Sequence, residues 1–272
     1  MKIALLTLLV IALAWLGYAG LVEPNWLDVH MIEVEIRDLP PELEGFTILH
    51  ISDLHQRNFA PGQKRLEQAF SQYDYHMVAF TGDVITNSRT ADFAPAEALL
   101  GLFDKPVFFV PGNHDYPLLT QIRELMEQHG AHMMENTYYV LEHNGASLAV
   151  AGVHDPYHAR YSYEMYQPDL AAALPPENMF VILLAHSPGI MEEATNASIP
   201  LVLVGHTHGG QIKIPLLGAP TTASGTFFDQ YVQGLYVNGH TQMYINRGLG
   251  TTGLPLRFLS RPEVVFIRLI GK

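Results

Sequence analysis

The chain has 272 residues, 48% of them apolar, enough to build the core of one large domain. Its 15 Lys and Arg against 27 Asp and Glu leave a formal charge of −12, which repels polyanions and excludes nucleic acid as an expected partner unless bound cations reverse the local field. Cysteine is absent, so disulfides, thiolate nucleophiles, iron–sulfur clusters and a lipid-modified N-terminal Cys are excluded, and any metal has to be held by His, Asp, Glu or Asn.

After Lys2, the 20 residues Ile3 to Val22 carry no charge, a length that crosses a bilayer as a helix. Residues 1–22 read as a membrane anchor or as a signal peptide cut after the small residues Gly17 and Ala19. A buried core helix fits less well, because it would show a polar face. Lys2 as the flanking positive charge favours a cell-membrane protein with its domain on the extracytoplasmic side. Residues 23–45 form a polar lead-in in which Val34 and Ile36 alternate with Glu33, Glu35 and Arg37, as in a half-exposed strand.

The domain proper is expected over 46–272. Phe46 to Ile51 has the length of a buried strand, Leu66, Ala69, Phe70 and Tyr73 recur at helical spacing, and Met77 to Phe80 is a second strand. A helix over Ala96 to Phe103, a strand over Val107 to Val110 and a helix over Leu118 to His129 follow. Asn144-Gly145 predicts a hairpin turn between Tyr138 to Leu141 and Leu148 to Val153. Phe180 to Ala185 and Leu201 to Gly205 are buried strands around a helical stretch, Ile190 to Ala197, and the last third, with Tyr236, Met243 to Ile245 and Val264 to Leu269, is strand-rich. This order implies an α/β fold of two sheets packed face to face with helices outside, a four-layer α-β-β-α sandwich preceded by a hydrophobic helix.

Polar signatures fall at the strand ends. Ser52-Asp53-Leu54-His55 follows the first strand, Gly82-Asp83 the second, Gly112-Asn113-His114-Asp115 the third, His186 the next and Gly205-His206-Thr207-His208 the one after. Open α/β sheets collect ligands at the carboxyl ends of their strands, so these five segments can meet at one rim. Asp53 and His55, like His206 and His208, are two residues apart and project to one side of extended backbone. Asp83 lies 30 residues after Asp53 and Asn113 30 after Asp83, about the span of one strand–helix–strand unit. Imidazoles, carboxylates and an amide oxygen form a mixed set that suits Mn²⁺, Fe or Zn²⁺ better than Mg²⁺ or Ca²⁺.

D-x-H, G-D, G-N-H-D, H and G-H-x-H in this order resemble the calcineurin-like metallophosphoesterases. The resemblance implies two divalent ions, Mn²⁺ in first place. One would be held by Asp53, His55, Asp83 and His208 and the other by Asp83, Asn113, His186 and His206, with Asp83 bridging. It also implies that His114 donates a proton to the leaving oxygen and that hydroxide held between ions about 3.5–4 Å apart is the nucleophile. Gly209-Gly210-Gln211 and the stretch from Asn246 to Arg257 are similar to the bacterial, membrane-anchored branch that includes UDP-2,3-diacylglucosamine pyrophosphohydrolases.

The expected activity is hydrolysis of a phosphodiester or pyrophosphate bond in a small-molecule, nucleotide-lipid or phospholipid substrate at a membrane. A metal-bound membrane scaffold without turnover is the contrasting class. Arg247 and His154 are candidate substrate contacts, although an arginine in a Gly-rich turn and a histidine after a strand equally serve structure. Asp115 reads either as a residue orienting His114 or, in preference, as the cap of the helix beginning near Pro117. His50 and His76 read as core histidines, and His30, His129, His132, His143 and His240 as surface ones. Ile212, Ile214, Leu216, Leu217, Phe227 and Phe228 are either core or an apolar approach for an acyl chain.

Overall fold

A computed structural model describes residues 2–159, 166–176, 179–223 and 225–272. The N-terminal apolar run forms helix α1 (Lys2–Gly17), which winds on through a π turn at Tyr18–Val22 and a 3₁₀ turn at Glu23–Asn25. None of α1 is buried against the domain, whereas Ala19 and Glu23 are. Arg257 N donates to Ala19 O at 2.9 Å and Ser260 N to Glu23 Oε1 at 2.6 Å.

Two six-stranded sheets follow. The first contains β1 (Asp28–Ile36), β2 (Thr47–Ile51), β3 (Met77–Phe80), β4 (Val107–Phe109), β5 (His132–Met133) and the C-terminal β12 (Glu263–Gly271), in the order β1-β12-β2-β3-β4-β5. The second contains β6 (Thr137–His143), β7 (Ala146–Gly152), β8 (Phe180–Leu184), β9 (Leu201–Val204), β10 (Gly234–Asn238) and β11 (Thr241–Ile245), in the order β10-β11-β9-β8-β7-β6. β2, β3 and β4 run parallel, as do β7, β8 and β9. Parallel strands covered on both faces need apolar side chains on both, and Thr47–Ile51, Met77–Phe80 and Leu201–Val204 are buried at every position.

Three core clusters show the layering. Ile48, Ala79 and Phe108 of the first sheet pack with Val150, Leu184 and Leu203 of the second, which seals the sheets face to face. The other face of the first sheet packs on helices α2 (Lys64–Phe70), α3 (Ala94–Leu100) and α4 (Leu119–Gln128) through Leu66, Leu99 and Ile122. On the outer side of the second sheet lie α6 (Leu170–Ala173) and α7 (Met191–Asn196), with Ala173, Met191 and Ala194 in the third cluster, while α5 (Pro156–Ala159) sets the Tyr157 ring against that of His206. The expected α-β-β-α sandwich is therefore the observed one.

Residues 23–45 are more than a lead-in. β1 pairs with β12 along its whole length, and Val34 and Ile36 enter the inter-sheet core. His132 is also no surface residue: it lies in β5 and stacks on Phe108 at 5.1 Å. A two-residue strand leaves too little alternation to be read from sequence. His143, expected at the surface, packs edge-on against Phe46 at 5.0 Å. The hairpin at Asn144-Gly145 forms as expected, both residues adopting positive φ.

Candidate metal centre

The carboxyl ends of β2, β3 and β4 carry Asp53, His55, Asp83 and Asn113, while those of β8 and β9 carry His186, His206 and His208. Because the sheets face each other, the two groups converge where their rims meet. Asp83 Oδ2 is 3.4 Å from His55 Nε2 and 3.3 Å from His186 Nε2. His55 Nε2 and His208 Nε2 stand 3.1 Å apart, with Asp53 Oδ1 at 4.0 and 3.5 Å from them. On the other side, Asn113 Oδ1 lies 3.2 Å from His186 Nε2 and 3.0 Å from His206 Nδ1.

The backbone at these positions is unusual. Five of the seven residues, Asp53, His55, Asp83, His206 and His208, have φ between +47° and +70°, a left-handed conformation that costs about 1–3 kcal/mol for a non-glycine residue and clusters at functional sites. Glycines make room for the side chains so presented. A Cβ at Gly82 would lie 2.7 Å from His186 Nδ1, and one at Gly205 2.7 Å from Ser52 Cβ.

Local hydrogen bonds fix which ring nitrogens face inward. His55 Nδ1 lies 3.1 Å from Ile85 O and His186 Nδ1 2.7 Å from Thr81 O, so each Nδ1 carries a proton and each Nε2 is the nitrogen that faces the centre. Burial lowers His55 and His206 to about 4 and holds His208 well below the ordinary imidazole value. These are neutral imidazoles, the form that ligates metal. Burial raises the Asp53 carboxyl to about 6, with His186 opposing. Burial also acts upward on Asp83, but the adjoining His186 and then His55 hold it well below the carboxylate range.

Nε2 lone pairs facing one another, beside carboxylates, are mutually repulsive unless a cation lies among them. Asp53 Oδ1 is buried with no hydrogen-bond partner among the described residues, as is His206 Nε2. An orphaned carboxylate oxygen at this depth costs several kcal/mol. The donor set thus fits divalent ions, and three overlapping groups, Asp53/His55/His208, His55/Asp83/His114 and Asp53/Asp83/His186, each offer ligand atoms within 4.8 Å of one another.

His114 sits at the partly exposed mouth of the centre. Its N donates to Asp83 Oδ1 at 2.9 Å, its Nδ1 is 2.7 Å from Thr86 O, and its ring stands edge-on to His55 at 5.0 Å. Asp115 caps no helix. One carboxylate oxygen accepts from Asp83 N and Gly112 N at 2.8 and 2.9 Å, the other from Val84 N at 2.9 Å, so it clasps the β3 and β4 loops together. Sequence reasoning missed that role because the three donors are backbone groups, two of them more than 30 residues away.

Two other residues belong elsewhere. The Arg247 guanidinium is paired with Asp28 at 2.6 Å and Glu263 at 2.9 Å, the partners that the structural reading of this arginine calls for. Arg257 is fully buried and donates to the carbonyls of Arg247, Gly248 and Ser260 at 2.8–3.0 Å. That loop braces the Asp53 turn, with Leu249 N on Ser52 O and Gly250 N on Asp53 O. His154 lies outside the cluster as well, its Nδ1 3.2 Å from the Tyr116 hydroxyl, while Asp155 accepts from Tyr157 N and His158 N. His50 is a core histidine as expected, Nε2 at 3.0 Å from Thr81 Oγ1.

Comparison with known proteins agrees with this geometry. Residues 46–210 match the calcineurin-like phosphoesterase family. The Bacillus subtilis metallophosphoesterase YkuE is 31% identical over 261 residues, covering 93% of this chain and 89% of that protein. The Escherichia coli phosphodiesterase YaeI is 27% identical over 263 residues, with 93% and 92% covered. A Danio rerio transmembrane protein with a metallophosphoesterase domain is 29% identical over 282 residues, covering 96% of this chain and 62% of that one. Among solved structures, the Thermus thermophilus sulfate thiohydrolase SoxB superposes with a TM-score of 0.51 at 15% identity over 85% of this chain and 57% of its own, a likeness of fold. Motif order, rim geometry and family match agree: the chain belongs to the calcineurin-like metallophosphoesterases and is a phosphoester hydrolase.

Proposed function

We propose that this protein is a metal-dependent phosphodiesterase, tethered to a membrane by α1, that cleaves a phosphodiester or pyrophosphate bond in a membrane-associated substrate. The observation that carries the reading is the convergence on Asp83 Oδ2 of His55 Nε2 and His186 Nε2 from opposite sheets, beside the unpartnered Asp53 Oδ1. In the family's pattern, Asp53, His55, Asp83 and His208 hold one ion and Asp83, Asn113, His186 and His206 the other, with Mn²⁺ the first choice. Two ions bound there would supply Lewis-acid charge for the phosphoryl oxygens and lower the pKa of water.

The chain's own residues supply position and protons. The carbonyls of Ile85 and Thr81 lock the His55 and His186 rings, which removes a rotational cost from the reacting geometry. With Nδ1 of His114 hydrogen-bonded to Thr86 O, Nε2 is the nitrogen left to face a leaving oxygen and would carry the transferable proton in the imidazolium form, and we assign His114 as donor to that oxygen. His114→Ala is then expected to lower kcat about a hundredfold with metal content unchanged. Its place in a group with His55 and Asp83 supports a second reading as a ligand, under which elemental analysis of the variant would show metal lost.

Support for the tether comes from the apolar run Lys2–Asn25 and from the segment that follows it. Cleavage after Ala19 would strip Arg257 N of its acceptor, so an uncleaved anchor preserves a built contact. The test of function is turnover of an aryl phosphodiester by Mn²⁺-loaded protein; binding of metal without turnover would identify a scaffold instead. Mn²⁺ at a hundred times its Kd is expected to stabilise the fold by about 2.7 kcal/mol, read as a rise in Tm. A parallel screen of phosphomonoesters, glycerophospholipids and UDP-2,3-diacylglucosamine fixes the substrate class. Inactivity on every membrane-derived diester would remove the lipid part of the reading.

A further inference from the structure

The described residues between Gln211 and Gln233 run from the His208 turn to β10 largely without regular structure, and several of their apolar side chains turn outward. Leu216 is wholly exposed, and Leu217, Phe227 and Phe228 are 65%, 77% and 64% exposed. Leu216 and Phe228 are held at φ +68° and +50°, conformations that branched and bulky residues adopt at a cost. Of the two readings the sequence left open, core is thereby removed for these four. Large apolar side chains left exposed together in one short stretch mark a candidate interaction face.

Its position relative to α1 is fixed by contacts. Lys213 N donates to Phe258 O and Phe258 N to Gln211 O, both at 2.9 Å, so the stretch runs beside Phe258. The Phe258 ring packs edge-on against Trp15 at 5.5 Å and Tyr18 at 6.2 Å. Trp and Tyr near the end of an apolar helix sit at the depth of the membrane–water interface, so Phe258 and its neighbours share that depth. Leu254 and Leu259, 63% and 49% exposed, extend the patch on the Phe258 side.

The same stretch walls the candidate centre. A cavity of about 250 Å³ lies between His206, Tyr157 and the stretch's Thr226, Asp229 and Tyr231. A second of about 160 Å³ lies between His208 and its Gln211, Thr221 and Thr222. We propose that the face made by Leu216, Leu217, Phe227, Phe228 and Leu254 docks on the lipid bilayer that α1 enters, so that the centre opens at headgroup depth. The proposal rests on the tether reading of α1. A bilayer is favoured over a second copy because the patch continues through Phe258 into a helix that is itself exposed from Lys2 to Ala14.

The absence of cysteine makes single-cysteine labelling of the full chain clean. A nitrobenzoxadiazole probe would be attached in turn at Leu216→Cys, Phe227→Cys, Leu9→Cys in α1 and Tyr138→Cys in β6, at the sheet edge opposite β10. In phosphatidylethanolamine–phosphatidylglycerol vesicles, probes at 216 and 227 should shift to the blue and be quenched by a shallow lipid nitroxide, the probe at 9 by a deep one, and that at 138 by neither. Quenching at 9 without quenching at 216 and 227 overturns the docking face and leaves the tether standing; no quenching at 9 overturns both. Excimer formation between pyrenes on 216 in place of lipid quenching would make the face a contact between copies and overturn the proposal. The Leu216→Asp/Leu217→Asp variant should lose about tenfold on a vesicle-held phosphodiester while retaining soluble aryl phosphodiester turnover within about twofold. Equal loss in both assays counts against docking.

Discussion

Asp83→Asn is expected to lower kcat/KM on an aryl phosphodiester by about three orders of magnitude or more, the scale on which loss of central transition-state electrostatics is felt. Asp83 places a single oxygen close to ligand candidates of both sheets, with Oδ2 at 3.4 Å from His55 Nε2 and 3.3 Å from His186 Nε2. Asparagine keeps the shape, tolerates the φ of +57°, and can still accept the bond that Oδ1 receives from His114 N. It removes the charge. The fold should therefore survive, with Tm within a few degrees, while metal content measured by elemental analysis falls. A variant that retained both metal and turnover would show that Asp83 does not share two ions.

The seven candidate ligands were legible in sequence because strand-end motifs encode themselves locally. D-x-H and G-H-x-H fix two side chains each, and the parallel strands β2, β3, β4 and β8, β9 bring them to one rim without further instruction. The sandwich was legible for a similar reason, since strands buried on both faces need continuous apolar runs. What escaped depends on distant partners. β5 is two residues long, and Arg247 is defined by Asp28 and Glu263 rather than by its glycine-rich neighbours. Val34 and Ile36 alternate as expected of a strand, but nothing local says that the strand joins the far end of the chain through β12.

That long-range closure bears on the centre. Asp28 of β1 and Glu263 of β12 hold Arg247, and the Arg247–Gly250 turn, pinned by Arg257, supports the backbone of Asp53. Arg257 also sets its guanidinium 3.5 Å from His208 Nδ1 and, through its own N, receives the end of the apolar helix at Ala19 O. The N-terminal apolar helix, the edge of the first sheet and one half of the candidate centre thus meet at the buried Arg257.

Asp115 offers the second large effect, and its magnitude decides between two roles. As a helix cap, its loss would cost about 1 kcal/mol and serine would restore most of it. As the clasp seen here, its truncation leaves the N–H groups of Asp83, Val84 and Gly112 without their acceptors, at about 1–3 kcal/mol for each that water cannot reach. Asp115→Ala is accordingly expected to cost about 3–5 kcal/mol, a fall in Tm of about 10 °C or more for a domain of this size. Alanine accepts the φ of −81° at this position, so backbone strain contributes nothing. Asn supplies one acceptor oxygen for two of the three donors and turns an N–H toward the third, which places it between wild type and Ala. Ser reaches too few donors to rescue. Because the clasp holds both the Asp83 turn and the Gly112-Asn113 turn, Mn²⁺ affinity should fall at least about tenfold with stability. A loss near 1 kcal/mol with rescue by Ser would return Asp115 to the helix.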